Sequence, residues 1–140
     1  YGTWSVLMAL ELAGIPAADP AVRRAVAWFG SRQNADGGWG ESNDSYDLET
    51  YPDRSFGSTP YHTAWAVLAL TAAGEGGSPA ARRGVEHLLR TQGSDGLWNH
   101  PSFTAPGFPR VFYLKYHGYC AVFPFWALAA HRRRVEPHST

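Results

Sequence analysis

Apolar and polar positions along the chain fall into two alternating kinds of run. TWSVLMALEL, from Thr3, and TAWAVLAL, from Thr63, are rich in Leu and Ala and apolar around most of a helical circumference. Each runs on to a Gly, Gly14 or Gly74, at the place where a helix takes its C-capping residue. A helix that is greasy on nearly all sides is predicted to lie between two layers. The partner runs open with Asp19-Pro20 and Ser78-Pro79, an N-cap followed by Pro at the first helical position. They then set Arg pairs against Val26, Trp28 and Phe29, or Val85, Leu88 and Leu89, at helical spacing. One face of each is predicted to turn inward and the other to stay wet.

The two kinds of run form a repeat. PAVRRAVAWFGSRQNADGGW, residues 20–39, aligns without a gap on PAARRGVEHLLRTQGSDGLW, residues 79–98. Upstream, YGTWSVLMALELAG (1–14) matches YHTAWAVLALTAAG (61–74), with one residue of slack between the halves. Alternating enclosed and half-buried helices predict an all-α architecture of concentric inner and outer rings, an α/α toroid built from helix pairs. Repeats of this kind usually need at least three units for a continuous core. The toroid is therefore expected to be incomplete here and the chain to be a piece of a larger one. The opening YGTWSVLMAL, with no initiator Met and no basic leader, fits that expectation.

Each repeat closes on the same turn, QNADGGW and QGSDGLW. Gln33 and Gln92 fall where an outer helix ends with unpartnered carbonyls. An amide both donates and accepts, so it can tie that end to the start of a neighbouring helix. Asp-Gly supplies the turn, with Gly37 and Gly96, and Trp39 and Trp98 return across it. The pair is expected to be a structural clamp between successive helices, not catalytic chemistry.

Charge and composition narrow the function. Lys plus Arg and Asp plus Glu stand at 12 each, and no basic stripe is present, which argues against nucleic acid as a partner. Apolar residues make up 44%, enough for a core, and six Trp, seven Tyr and seven Phe are a heavy aromatic load. Cys120 stands alone, so no disulfide framework or thiolate zinc site is available, and a buried thiol is expected. AWAVLAL and CAVFPFWALAA are too short to span a bilayer. Six scattered His residues make no HExxH or Cys/His pattern, so no metal site is expected. GEGGSP lacks the Lys-Ser/Thr of a phosphate loop, and no GxSxG elbow is present.

Arg24, Ala25, Trp28, Phe29, Gln33, Gly37 and Trp39 resemble the QW motif of triterpene cyclases. Arg83, Gly84, Leu88, Gln92, Gly96 and Trp98 match it again, with His87 where an aromatic is expected. GSTPYHTAWAVLAL resembles the family's STPSQTAWA stretch, with Tyr61-His62 replacing Ser-Gln. GFPRVFYLKYHGYCAVFPFWAL, residues 107–128, resembles the C-terminal signature of bacterial squalene–hopene cyclases. The resemblance covers all but the insert 47–56 and the polar tail. It implies that residues 1–134 are the C-terminal part of a catalytic α/α-barrel domain, followed by a tail over 135–140.

The family reaction is a cyclisation of squalene to hopene or hopanol, started by protonation of an alkene by an Asp acid. It needs no cofactor and no metal. Aromatic faces stabilise a passing carbocation without a lone pair that would trap it, and a dry site prevents early quenching. By position in the signature, Phe108, Phe112, Tyr116 and Tyr119 correspond to cavity-lining residues, and Leu114 to a neighbouring wall. Their spacing of four, four and three is equally that of ordinary core. Gly107, Pro109 and Gly118 leave open whether the segment is helical or extended. Tyr1 resembles the Tyr of the family's YGT stretch, which supports the acid through hydrogen bonds.

The family's DxDD acid is absent. The acidic run NDSYDLETYPD, residues 43–53, has another spacing and is read as a solvated connection. No catalytic residue is therefore assigned, and the piece alone is expected to be inactive. The resemblance further implies a protein on the cytoplasmic face of a membrane, peripheral or monotopic, drawing a polyprenyl lipid from the bilayer, and admits a homodimer. Two alternatives remain: a sibling class II terpene cyclase with another polyprenyl substrate, and a toroid that has lost the chemistry. Protein prenyltransferase subunits share the toroid but hold zinc with Asp, Cys and His. HRRRVEPH, from His131, reads as a solvated helix end that complements the dipole.

Overall fold

The computed structural model describes residues 1–43, 56–102, 105–108 and 111–135, the stretch 105–108 as backbone only. Five helices and one hairpin make up the described chain: α1 (Gly2–Leu12), α2 (Pro20–Ser31), α3 (Pro60–Ala72), α4 (Pro79–Thr91), β1 (Ala105–Phe108), β2 (Phe112–Leu114) and α5 (Tyr119–Val135). The architecture is helical, as the repeat predicts. The segment that spacing left open divides: Ala105–Phe108 and Phe112–Leu114 pair as an antiparallel hairpin, and α5 begins at Tyr119. The register is Ala105↔Leu114, Pro106↔Tyr113 and Phe108↔Phe112, irregular between Pro106 and Phe108.

The helix ends follow from the residues at them. Asp19 accepts the N–H of Ala21 at 2.7 Å, and Ser78 that of Ala81 at 3.3 Å, each ahead of a Pro that has no N–H to lose. Thr59 does the same for α3, accepting the N–H of His62 at 3.2 Å. Gly14 and Gly74 adopt φ of 74° and 80°. In each case the Gly N–H and the one after it reach back into the last turn: Gly14 to Glu11 and Ile15 to Leu10, then Gly74 to Thr71 and Glu75 to Leu70. Both inner helices thus end in the Schellman motif that their terminal Gly predicts.

α1, α3 and α5 form the inner layer, with α3 between the other two. α2 and α4 lie outside it. Burial follows that placement. Every residue of α3 from Thr63 to Thr71 is buried, whereas α1 buries only Trp4 and Leu7 and exposes Val6 and Leu12. α3 packs against α1, α4 and α5, while among the described residues α1 packs on α3 and α2, meets α5 only near Trp4 and Glu11, and leaves Val6 and Leu12 exposed. The outer helices correct one expectation. Phe29 and Leu88 turn inward, but Trp28 and Leu89 point outward, at 46% and 56% exposure. Consecutive helical residues diverge by about 100°, so only one of each adjacent pair can face the core.

α1, α3 and α5 run in the same direction. Their C-terminal ends are tied together: Arg134 pairs with Glu11, and His131 Nε2 lies 2.9 Å from the carbonyl oxygen of Gly76, just beyond α3. Arg132, Arg133 and Arg134 sit in the last turn of α5, where cations offset the exposed carbonyls. Helix α5 continues through Val135, the first residue read as tail, and 136–140 lie outside the described residues. Cys120 is a free, buried thiol, and burial raises its pKa.

Candidate functional site: two clamps and an aromatic end

The two Gln–Trp turns are the same object built twice. In the first, Asn34 N–H donates to the Gly38 carbonyl, Gly37 N–H to Asn34, and Gly38 N–H to Asp36 Oδ1. In the second, Gly93, Gly96 and Leu97 make the matching bonds to Leu97, Gly93 and Asp95. Gly37 and Gly96 supply the left-handed residue, at φ 88° and 80°. Gln33 Nε2 donates to the Gly37 carbonyl at 2.8 Å and Gln92 Nε2 to that of Gly96 at 2.7 Å. Trp39 Nε1 donates to Phe29 O at 2.8 Å and Trp98 Nε1 to Leu88 O at 2.9 Å. Those two carbonyls belong to the ends of α2 and α4, so each indole caps the helix before it.

The first turn reaches onward to α4 and α3. Gln33 Nε2 also donates to Ala80 O in the first turn of α4 at 2.9 Å, and Arg83 donates to Gln33 Oε1. A Cβ on Gly84 would come within 2.8 Å of both Trp39 Cζ3 and Val67 Cγ2, so this glycine lets the indole lie between α4 and α3. Arg90 donates to Asp36 O at 3.0 Å, and His87 Nδ1 lies 3.2 Å from the same oxygen. Toward α3, Trp39 N–H donates to Thr63 Oγ1 at 3.0 Å and Thr59 N–H to Trp39 O at 2.9 Å. Partial burial would raise the pKa of Asp36, but hydrogen bonds from Ser58 and Gly38 N–H, with His87 and Arg90 nearby, outweigh it and hold the carboxyl below its usual value. The first turn therefore joins three helices, while the second ties back to α4 and lays Trp98 edge-on to Phe125 of α5, centroids 5.3 Å apart.

The aromatic residues gather at the N-terminal end of the inner layer, around the first turns of α1, α3 and α5. Trp4 and Trp65 stack nearly parallel, centroids 5.8 Å apart. Tyr1, Phe123 and Tyr119 meet Trp65 edge-on at 5.1, 5.2 and 5.7 Å, and Tyr116 stacks on Tyr119 at 4.9 Å. Trp126 continues the cluster through Phe123 and Trp4. Of the expected wall residues, Tyr1, Tyr116 and Tyr119 thus lie together. Phe112 and Leu114 stand on β2, 44% and 43% exposed. Phe108 pairs with Phe112 in the hairpin, and its side chain lies outside the described residues, as does nearly all of the acidic run 43–53.

Trp4, Trp65 and Phe123 belong to this cluster and were not singled out from the sequence, and His62, noted there only as replacing the family's Gln, joins them. The repeat did not mark the two Trp, because it aligns Trp4 with Ala64 and Trp65 with Ser5. Trp4 Nε1, Trp65 Nε1 and the Tyr61 hydroxyl are buried without a hydrogen-bond partner among the described residues. Burial pushes the Tyr61 hydroxyl up to about 12, so it stays protonated. His62 lies edge-on to Trp65 at 5.1 Å, and burial drives its pKa down to about 3. The ring is therefore neutral, and its 3.8 Å approach to Glu41 is not an ion pair. Thr59 Oγ1 lies 2.8 Å from His62 Nδ1 and also accepts the His62 backbone N–H at 3.2 Å.

Stacked inner and outer helices, joined by Gln–Trp clamps and presenting one aromatic end, define the repeat class of the triterpene cyclases. The chain belongs to the family described as the squalene–hopene cyclase C-terminal domain, which matches residues 1–133. It is 56% identical over 139 residues to a squalene–hopene cyclase of Bradyrhizobium diazoefficiens, covering 99% of this chain and 21% of that one. The squalene–hopene cyclase of Alicyclobacillus acidocaldarius is 46% identical over 136 residues, 97% of this chain and 21% of that protein. A dammaradiene synthase of Dryopteris crassirhizoma is 36% identical over 149 residues, 97% and 22% of the respective chains. The chain spans about a fifth of the length of these relatives.

Proposed function

We propose that these residues are the C-terminal part of the catalytic domain of a squalene–hopene cyclase, which converts squalene to hopene or hopanol by a proton-initiated carbocation cascade. The observation that carries this reading is the aromatic end, where rings from three parallel inner helices meet around Trp65 in a chain of this family. Ring faces stabilise a cation in passing and offer it no nucleophile. Tyr1, Tyr116 and Tyr119, with Phe108, Phe112 and Leu114 of the hairpin, would form the wall of the cavity. Three helix N-termini at this end each carry about half a positive charge. Their field lowers the pKa of an acid docked beside Tyr1, as protonation of an alkene requires. That acid belongs to another part of the polypeptide.

The full protein would act at a membrane surface on a polyprenyl lipid. Among the described residues no helix is long and apolar enough to cross a membrane. The test is to incubate the full-length protein with squalene and identify the products by mass spectrometry. Pentacyclic hopene or hopanol is expected. An inert protein, or one that cyclises only a different polyprenyl chain, would overturn the assignment.

A further inference from the structure

Tyr61 and His62 are the two residues of α3 that depart from the family stretch STPSQTAWA, and both carry rings where that stretch has Ser and Gln. They stand four and three residues before Trp65. A long side chain on a helix leans back over the residues at those two spacings, so the Trp65 ring lies on whatever positions 61 and 62 present. Here it meets Tyr61, tilted against it at 5.6 Å, and His62, edge-on at 5.1 Å. Both rings are themselves held. Tyr61 is 1% exposed and meets His100 edge-on at 6.2 Å. His62 packs on Tyr61 at 4.8 Å, and its Nδ1 lies 2.8 Å from Oγ1 of Thr59, whose N–H donates to Trp39 O of the first clamp. The Tyr61 hydroxyl has no hydrogen-bond partner among the described residues, so what Tyr61 contributes is its ring.

We propose that Tyr61 and His62 are positioning residues that hold Trp65 in one orientation and, through it, set the wall rings Tyr1 and Tyr119. This rests on the reading of the aromatic end as the wall of a cyclase cavity. Tyr1 and Tyr119 both lean edge-on against Trp65, at 5.1 and 5.7 Å, so their places follow from its orientation. Ser and Gln at positions 61 and 62 would give the indole one short and one flexible side chain to rest on. Trp65 would then be free to tilt, and the two Tyr would follow it. A ring face stabilises a carbocation only while it lies against the cationic carbon. A cation left uncovered partway through the cascade gives up a proton from the neighbouring carbon to a water molecule. The electron pair of that C–H bond closes an alkene, and an incompletely cyclised product departs.

The test compares the squalene products of the full-length protein and of its Tyr61→Ser/His62→Gln double variant by gas chromatography and mass spectrometry. The share of incompletely cyclised products should rise at least about fivefold, because small displacements of groups around a reacting centre have large effects on rate. Tyr61→Phe, which keeps the ring and drops the hydroxyl, should give the wild-type profile. Gln33→Ala, a change at the clamp, should do the same despite a lower melting temperature. If the double variant does not fold, His62→Gln alone removes one ring and should raise the same share at least about twofold. An unchanged profile in the ring-deleted variant, or an equal shift in Tyr61→Phe or Gln33→Ala, would overturn the proposal. A second readout needs no turnover. In protein labelled with fluorotryptophan, the fluorine resonance that disappears in Trp65→Phe should be single and sharp in the wild type and broadened or split in the double variant. A sharp line in both would also overturn it. The two readings fail separately: an inert wild type sinks the cyclase and leaves the fluorine line to decide the packing, while an active wild type with an unmoved profile sinks only the positioning.

Discussion

At the scale of single residues, His62 shows how burial decides charge. The ring rests among Tyr61, Trp65 and Thr59, with its pKa at about 3 against an ordinary 6.5. Between those values the unfolded chain binds a proton that the folded chain refuses. Stability must therefore fall as pH drops from about 6.5 toward 3, by at most about 1.4 kcal/mol per pH unit from this residue. In the full-length protein, His62→Gln, which restores the residue the family resemblance places there, should flatten the decline of the melting temperature over that window. Identical slopes for the two proteins would show that His62 does not stay neutral. Nothing in the sequence announced this behaviour. A lone His on a greasy helix becomes notable only when the fold packs it among Tyr61, Trp65 and Thr59 and buries it.

Between elements, the clamp was legible and the wall was only partly so. Two copies of Gln, Asp-Gly and Trp at fixed intervals gave the turn, and the terminal Gly residues gave both Schellman ends, because each depends on local chemistry. The gathering of Tyr1, Trp4, Trp65 and Tyr119 depends on three inner helices running parallel, which no local pattern encodes. The split of 105–128 into hairpin and helix was equally hidden, since Pro124 sits within α5 where a local rule would stop the helix. Clamp energetics can be measured by a change of sign. In an exposed helix, Gly→Ala stabilises by about 1 kcal/mol. Gly84→Ala should instead destabilise by about 1–3 kcal/mol, because its new methyl meets Trp39 and Val67 at 2.8 Å. Gln33→Ala should cost about 1–2 kcal/mol and speed hydrogen exchange at the start of α4. Gln92→Ala, whose amide bonds only within its own turn among the described residues, should cost less; equal losses would refute the three-helix clamp.

For the molecule as a whole, α3 is fully enclosed while α1 leaves Val6 and Leu12 exposed, and α5 leaves Val122 and Phe125 exposed. Residues 1–140 expressed alone should therefore give helical circular dichroism with a broad, weakly cooperative melt and a tendency to associate. Chemical crosslinking and scanning calorimetry check this, and a sharp monomeric transition would contradict it. The expectation of inner and outer layers came from periodicity and is met. Which flanks stay open could not be read from it, because burial of an apolar face depends on what lies beside it.

The onward reach of the first clamp has a consequence for how such a protein grows. The stretch that recurs in the sequence ends with a turn, but that turn is bolted to the next stretch through Ala80 and Arg83. The module of inheritance and the module of packing are out of phase by one helix. The first copy thus ends in a plug and the second begins with the socket that takes it, so the seam between two copies is made wholly from residues that the repeat itself supplies.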